Sequence, residues 1–201
     1  MMLDRTVRQS FRPANGDVMR TLVVVCTAWV IAAIPLSLRA QEFAPTHDEQ
    51  SAAMNKLASM VGQWKGDGWI EMGPQRFQFE SSEVFSRKAG GLALLVEGIH
   101  RMPIPTGESR VIHNAVAMIT YDADADRYRF ITQLANGRGG DYHGTITADG
   151  DFQWIIPDTP MGKMTYTISV EDGKYSEIGE LTLPSGERKK FFEMNLTKSK
   201  Q

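Results

Sequence analysis

Residues 119–130 read Ile-Thr-Tyr-Asp-Ala-Asp-Ala-Asp-Arg-Tyr-Arg-Phe. Apolar and polar residues alternate on both sides of a short acidic centre. That is the period-2 signature of two strands joined by a turn. A turn centred on Asp124-Ala125 pairs Tyr121 with Tyr128 and Ile119 with Phe130. Facing residues of an antiparallel pair share one face of the sheet. One face of this hairpin is therefore aromatic and apolar, and the other carries Arg127 and Arg129.

The same unit recurs in both directions. Turn signals fall at Gly73-Pro74, Ala89-Gly90, Thr106-Gly107, Asn136-Gly137, Asp149-Gly150, Pro157 to Gly162, Asp172-Gly173 and Ser185-Gly186. With the turn at 124–125 they join ten strands after Val61. Asn-Gly and Asp-Gly suit a two-residue turn in which both central residues take positive φ. A meander this long leaves exposed edges unless it closes on itself. The expected fold is all-β, an up-and-down antiparallel barrel of about ten strands. Ahead of it, Gln41 to Thr46 reads as a linker. Asp48 is placed to cap a short helix, Glu49 to Met60, with Ala53, Leu57 and Met60 on one face.

Carrying the pairing from turn to turn gives one continuous inner face. It contains Trp64, Ile70, Phe77, Phe79, Phe85, Leu94, Val96 and His100. Pairing across 106–107 sets His100 against His113 and brings in Val111, Ala117 and Ile119. Pairing across 136–137 sets Phe130 against His143, and across 149–150 sets Thr145 against Trp154. Tyr166, Tyr175, Leu181, Phe192, Met194 and Leu196 follow. The opposite face carries Lys65, Asp67, Glu71, Arg76, Glu80, Lys163, Glu180 and Lys189. A one-residue slip at any turn would invert every face beyond it. Pro103 and Pro105 weaken the case for a tight hairpin at 106–107.

This inner face supplies the candidate site. Trp64 is expected to plug one end of the barrel, with Lys198 against its ring. Gly66 and Gly68 let the strand bend and keep space inside. His100 and His113 are expected as cross-strand neighbours about 5 Å apart, the weak candidates for a metal. His143 would lie about 20 Å further along the wall, at ~3.3 Å per residue. Glu83 and Glu177 also point inward, either near a rim or orienting a polar ligand group. A ten-stranded barrel is wider than the eight-stranded one that side chains fill. A lumen lined by Trp64, His100, His113, Tyr128, His143, Trp154, Tyr166 and Met194 would suit a small apolar or amphipathic ligand.

Val61-Gly62-Gln63-Trp64-Lys65-Gly66-Asp67-Gly68 resembles the Gly-x-Trp opening of the calycins, the lipocalin and fatty-acid-binding-protein group. The extended Gly-x-Trp-x-Gly-x-Gly is similar to nitrobindin. With Gly90-Gly91-Leu92, Ile119-Thr120-Tyr121-Asp122, Arg127-Tyr128 and Phe192-Glu193-Met194-Asn195-Leu196, the chain also resembles a bacterial exported family of unknown function with a lipocalin-like barrel. The resemblance covers about Leu57 to Lys198. It implies a barrel with a central cavity and supplies no activity. In nitrobindin a histidine on the last strand holds haem. The corresponding stretch here, Lys189 to Leu196, has no histidine, so no cofactor is expected.

The first forty residues read as an address. Arg5, Arg8, Arg12 and Arg20 precede the apolar run Thr21 to Leu38, and Arg39-Ala40 follows. This is the layout of a secretory signal, with Met19 an alternative start. The alternative is a membrane anchor, for which eighteen residues are short. The expected organisation is a signal over 1–40, linker and helix over 41–60, and a barrel over 61–198. The chain without its first forty residues carries a net charge of −5 and no cysteine, since Cys26 is the only one. That charge argues against nucleic-acid binding and against a stable membrane association after cleavage. The expected location is periplasmic or secreted.

Enzyme motifs are missing: no Gly-x-Ser-x-Gly, no His-Glu-x-x-His, no phosphate loop. Gly137-Arg138-Gly139-Gly140 follows Asn136 in a turn and opens no helix. Asp122 to Asp126 lacks the glycine and terminal glutamate of a calcium loop. The leading reading is a binding protein. A haem or metal protein using the inward histidines is the alternative, and a small barrel enzyme the weaker one.

Overall fold

The structure is a computed structural model that describes residues 46–199. The expected signal over 1–40 lies outside the described residues. A helix α1 (Thr46–Asn55) and a 3-10 turn at Ala58–Met60 lead into ten strands. These are β1 (Gly62–Met72), β2 (Gln75–Lys88), β3 (Ala93–Pro103), β4 (Ser109–Asp122) and β5 (Arg127–Leu134). They continue as β6 (Gly139–Ile146), β7 (Phe152–Thr159), β8 (Gly162–Glu171), β9 (Lys174–Thr182) and β10 (Arg188–Lys198). Each strand pairs antiparallel with the next, and β10 pairs with β1, so the sheet closes with no free edge. The helix differs in extent from the sequence expectation: it begins at Thr46, so Asp48 lies in its first turn rather than capping it, its α-helical turns end at Asn55, and Ala58–Met60 tighten to 3-10.

The helical segment closes one end. Ala53, Met54, Leu57 and Met60 are buried in one apolar cluster with residues of the barrel interior, among them Trp64, Ile119, Tyr128 and Leu196. Two hydrogen bonds tie it down: Tyr128 Oη donates to the Ala53 carbonyl at 2.7 Å, and Trp64 Nε1 donates to the Met60 carbonyl at 2.8 Å. Trp64 is 1% exposed, with Lys198 Nζ 5.2 Å from its ring centroid. It plugs the closed end as its position on the first strand suggested.

The turns explain where the sequence register fails. At Gly107, Gly137, Gly150 and Gly186 the loop has three residues, not two. Each glycine has φ between 85° and 89°. Its N–H bonds the carbonyl three residues back, and that residue's own N–H bonds the carbonyl four residues on (Leu134 N to Arg138 O, 2.7 Å; Thr147 N to Asp151 O, 2.9 Å). This is a type I turn followed by a glycine bulge. Each such turn displaces the pairing by one residue from the two-residue register.

Two of these displacements are reversed inside the strands. A bulge between His100 and Arg101 restores the pairing of His100 with His113, and one between Lys190 and Phe192 does the same in β10. Val111 lies between the Gly107 turn and its bulge, so it faces outward and is 48% exposed. Its expected inward position is corrected accordingly. The other two displacements flank β6 and cancel each other. Phe130 pairs with Tyr142, Arg129 pairs with His143, and Gly144 pairs with Trp154. β6 is the one whole strand inverted relative to expectation; the start of β10 shifts as well, so Lys189, expected on the outer face, pairs with inward Leu181. His143 and Thr145 face outward and are exposed, while Tyr142, Gly144 and Ile146 face in. The hairpin at 106–107 forms despite Pro103 and Pro105, because β3 ends at Pro103 and neither ring interrupts a ladder interior.

Candidate functional site

Exposure divides the inner face into two halves. Toward the helix, Trp64, Phe85, Leu94, Ile119, Tyr128, Phe152, Ile168, Tyr175 and Leu196 are all buried. Toward the other end, most inward residues are half-buried, among them Ile70, Phe77, His113, Thr132, Leu134, Tyr142, Trp154, Ile156, Met164 and Tyr166, while Leu181 opposite Met164 is buried. The inner face is therefore fully buried at the helix end and only partly buried at the far end.

Glycines on the wall set its shape. A Cβ at Gly98 would stand 2.6 Å from the Glu83 carboxylate, so Glu83 can lie across β3 only because residue 98 has no side chain. At Gly68 a Cβ would meet the Phe79 ring at 2.6 Å, and at Gly144 the Phe152 ring at 2.8 Å. The space that Gly68 releases is thus occupied by Phe79 rather than left for a ligand. Gly66 answers to a close approach of β10, whose Asn195 carbonyl occupies the place a Cβ would take.

Between the two halves lies a buried polar cluster. His100 Nε2 is 3.0 Å from Glu83 Oε1, and Ser81 Oγ donates to the same oxygen at 3.4 Å. Glu83 and His100 are both buried, deep in the wall rather than at a rim. Burial pushes the Glu83 carboxyl up to about 8 and the His100 imidazole down to about 4. The pair is then neutral and holds one proton, which the carboxyl donates to Nε2. His100 is sandwiched between Phe79 (4.6 Å between centroids, 6° between planes) and His113 (4.6 Å, 26°). Burial, and then the cost of protonating two imidazoles side by side with His100, push His113 down to about 4.

Glu177 is the second interior carboxylate. It is flanked across the sheet by Ile168 and Met194. Tyr175 Oη donates to its Oε2 at 3.0 Å. Burial, then repulsion from Glu83, push Glu177 up to about 7. It is enclosed by the barrel and yet only half-buried, so part of its surface faces unfilled interior. Above it Trp154 stacks on Tyr166 at 4.3 Å and 6°, with Phe130 at 4.5 Å and Tyr142 at 5.6 Å from the Trp154 ring.

The eight residues expected to form a site are thus separated. His113, Trp154 and Tyr166 face the partly buried half. His100 and Met194 are buried, and Trp64 and Tyr128 belong to the fully buried half. His143 is outside. Tyr142 and Phe130 take part in the wall and were not singled out; Tyr142 was hidden by the inverted register of one strand. Among the described residues, no three His, Cys, Asp or Glu side chains converge in a way that could hold a metal ion. Two surface grooves, of about 400 and 280 Å³, lie at the closed end, bordered by Glu171, Asp172 and Lys174 and by Lys56, Asp149 and Asp151. Neither is lined by the interior carboxylates.

The fold and its interior define a closed ten-stranded antiparallel barrel whose inner face is fully buried only at the helix end. Two solved structures share that barrel. Rv2717c from M. tuberculosis aligns with a TM-score of 0.55 at 12% identity, over 74% of this chain and 98% of that one. The S-type phycobiliprotein lyase CPES from Guillardia theta aligns with a TM-score of 0.54 at 10% identity, over 73% and 92%. At these identities the likeness is one of fold alone. No family model matches the sequence, and no curated protein matches it.

Proposed function

We propose that this chain is a binding protein that takes a small apolar or amphipathic molecule into the open half of the barrel and releases it unchanged. The observation that carries this reading is the gradient of exposure along the inner face. Aromatic and aliphatic side chains are close-packed at the helix end and half-exposed at the other, which is how a preformed concave site looks. The resemblance of the first strand to calycins supports the same reading, as does the apolar character of Ile70, Phe77, Ile156 and Met164. The expected export adds a location, the periplasm or the medium, where carriage of a poorly soluble molecule has a use.

The haem or metal reading has less support. His143 lies outside the barrel, and His100 Nε2 is engaged by Glu83. The test of the binding reading is mass spectrometry of organic extracts of the natively purified protein, alongside titration with the neutral fluorescent probe N-phenyl-1-naphthylamine. A co-purifying compound, or saturable probe binding at one site per chain, is the expected result. Clean extracts together with no probe binding would overturn it.

A further inference from the structure

The outer wall of the barrel carries an apolar patch centred on β4. Among the described residues five large apolar side chains are exposed, and three of them, Val111, Val116 and Met118, stand on the outward side of this one strand. Met118 is flanked across the sheet by Leu95 of β3 and Ile131 of β5, both half-buried, so one row is apolar over three strands. A contiguous exposed patch of this kind marks an interaction surface.

Two opposite charges frame it. Glu97 lies between Val84 and Val116 in the sheet, is exposed, and has no ion-pair or hydrogen-bond partner among the described residues. Arg129 bonds Asp141 through one terminal nitrogen, and its side chain is 44% exposed with its other donors free for a second acceptor. Counted from Met118, Glu97 is one strand to one side and two residues down, and Arg129 is one strand to the other side and two residues up. At ~4.8 Å between strands and ~3.3 Å per residue, each stands about 8 Å from Met118, in opposite directions. A two-fold axis through Met118, lying in the plane of the patch at right angles to the line from Glu97 to Arg129, exchanges the two positions.

We propose that this face of β3, β4 and β5 is the interface of a symmetric homodimer, in which Glu97 of each copy meets Arg129 of the other on both sides of a Met118–Met118 contact. The same axis lays Val116 on Ile131 of the second copy, so apolar groups meet apolar groups. It crosses the two β4 strands steeply, the orthogonal class of sheet packing. A contact that uses the same patch twice closes on itself, so the product is a dimer and not a filament. A bilayer suits the patch less well, because it would bury Glu97 with no cation. A second copy brings that cation.

The test is sedimentation equilibrium of the natively purified protein over about 1 to 500 µM, the range suited to a patch at the small end of specific interfaces. A monomer–dimer equilibrium is expected, with a dissociation constant on the order of 10–100 µM. Met118→Asp sets two carboxylates together on the axis and should weaken association at least about tenfold. Met161→Asp, at an exposed turn away from the patch, should leave it unchanged. Glu97→Arg, which sets Arg against Arg129, should weaken it about tenfold, and the pair Glu97→Arg with Arg129→Glu should return it to within about threefold of wild type. Melting temperatures separate lost association from lost folding. Wild-type protein that stays monomeric at every concentration overturns the inference without any variant. A dimer that Met118→Asp leaves intact, or that Met161→Asp breaks equally, also overturns it. So does a dimer that ignores Glu97→Arg or is not rescued by the double variant, because its axis then lies elsewhere.

Discussion

Replacing Glu83 by glutamine isolates the buried proton. In the unfolded chain Glu83 titrates near 4.5 and His100 near 6.5; in the barrel burial pushes the first up to about 8 and the second down to about 4. Raised Glu83 holds a proton that the unfolded chain has lost, so its contribution to stability falls as pH rises from 4.5 to 8. Depressed His100 lacks a proton that the unfolded chain holds, so its contribution falls as pH drops from 6.5 to 4. Between 4.5 and 6.5 the two cancel, because folded and unfolded states each carry one proton. Glu177, raised to about 7, and His113, depressed to about 4, oppose each other in the same interval. Above 6.5 the raised Glu83 acts alone, apart from the tail of Glu177. Over 1.5 pH units, at about 1.4 kcal/mol per unit, the wild type should lose about 2 kcal/mol between pH 6.5 and 8. Glutamine does not titrate, and its amide can still donate to His100 Nε2. Glu83→Gln keeps only the Glu177 tail and should therefore lose less than about 1 kcal/mol over the same interval. Urea denaturation at the two pH values, with m unchanged, measures both. A wild type insensitive to pH in this range, or a variant that parallels it, would refute a buried shared proton.

Other substitutions probe the remaining parts. Gly98→Ala places a Cβ where the Glu83 carboxylate lies; it should cost about 1–3 kcal/mol in urea denaturation and flatten the same pH slope by displacing the carboxylate from His100. Tyr128→Phe leaves the Ala53 carbonyl without its 2.7 Å donor; a loss of about 1–3 kcal/mol is expected, with faster hydrogen exchange in α1 measured by mass spectrometry. His143→Ala, on the outer wall, should change thermal stability by less than about 0.5 kcal/mol and leave probe binding unaltered.

The barrel was legible because a period-2 pattern is repeated between strong turn signals, and closure follows from the cost of free edges. The positions of Trp64, His100 and His113 were legible for the same reason. His143 was not, and the cause is local. Asn136-Gly137 and Asp149-Gly150 serve two-residue and three-residue turns alike, since both need glycine with positive φ. The choice between them inverts a strand, and here two such choices compensate. The bulges at Arg101 and Lys190 carry no residue-type signal at all. Glu83 and Glu177 could be placed on the inner face by parity, but their depth could not. That depth depends on Gly98 making room and on strand tilt, neither of which is a property of spacing along one strand. Tyr142 shows the functional consequence: one residue of register exchanged an imidazole for a phenol on the candidate wall.

The central claim is that the half of the lumen away from the helix is open and takes a ligand. Thr132 faces inward there, between Ala117 and Gly140 in the sheet, and is half-buried. Thr132→Trp places a large ring there without touching the fully buried half, and titration with N-phenyl-1-naphthylamine reads the result. The account predicts that probe binding is lost while the melting temperature stays close to that of the wild type. Undiminished probe binding in the folded variant would contradict it.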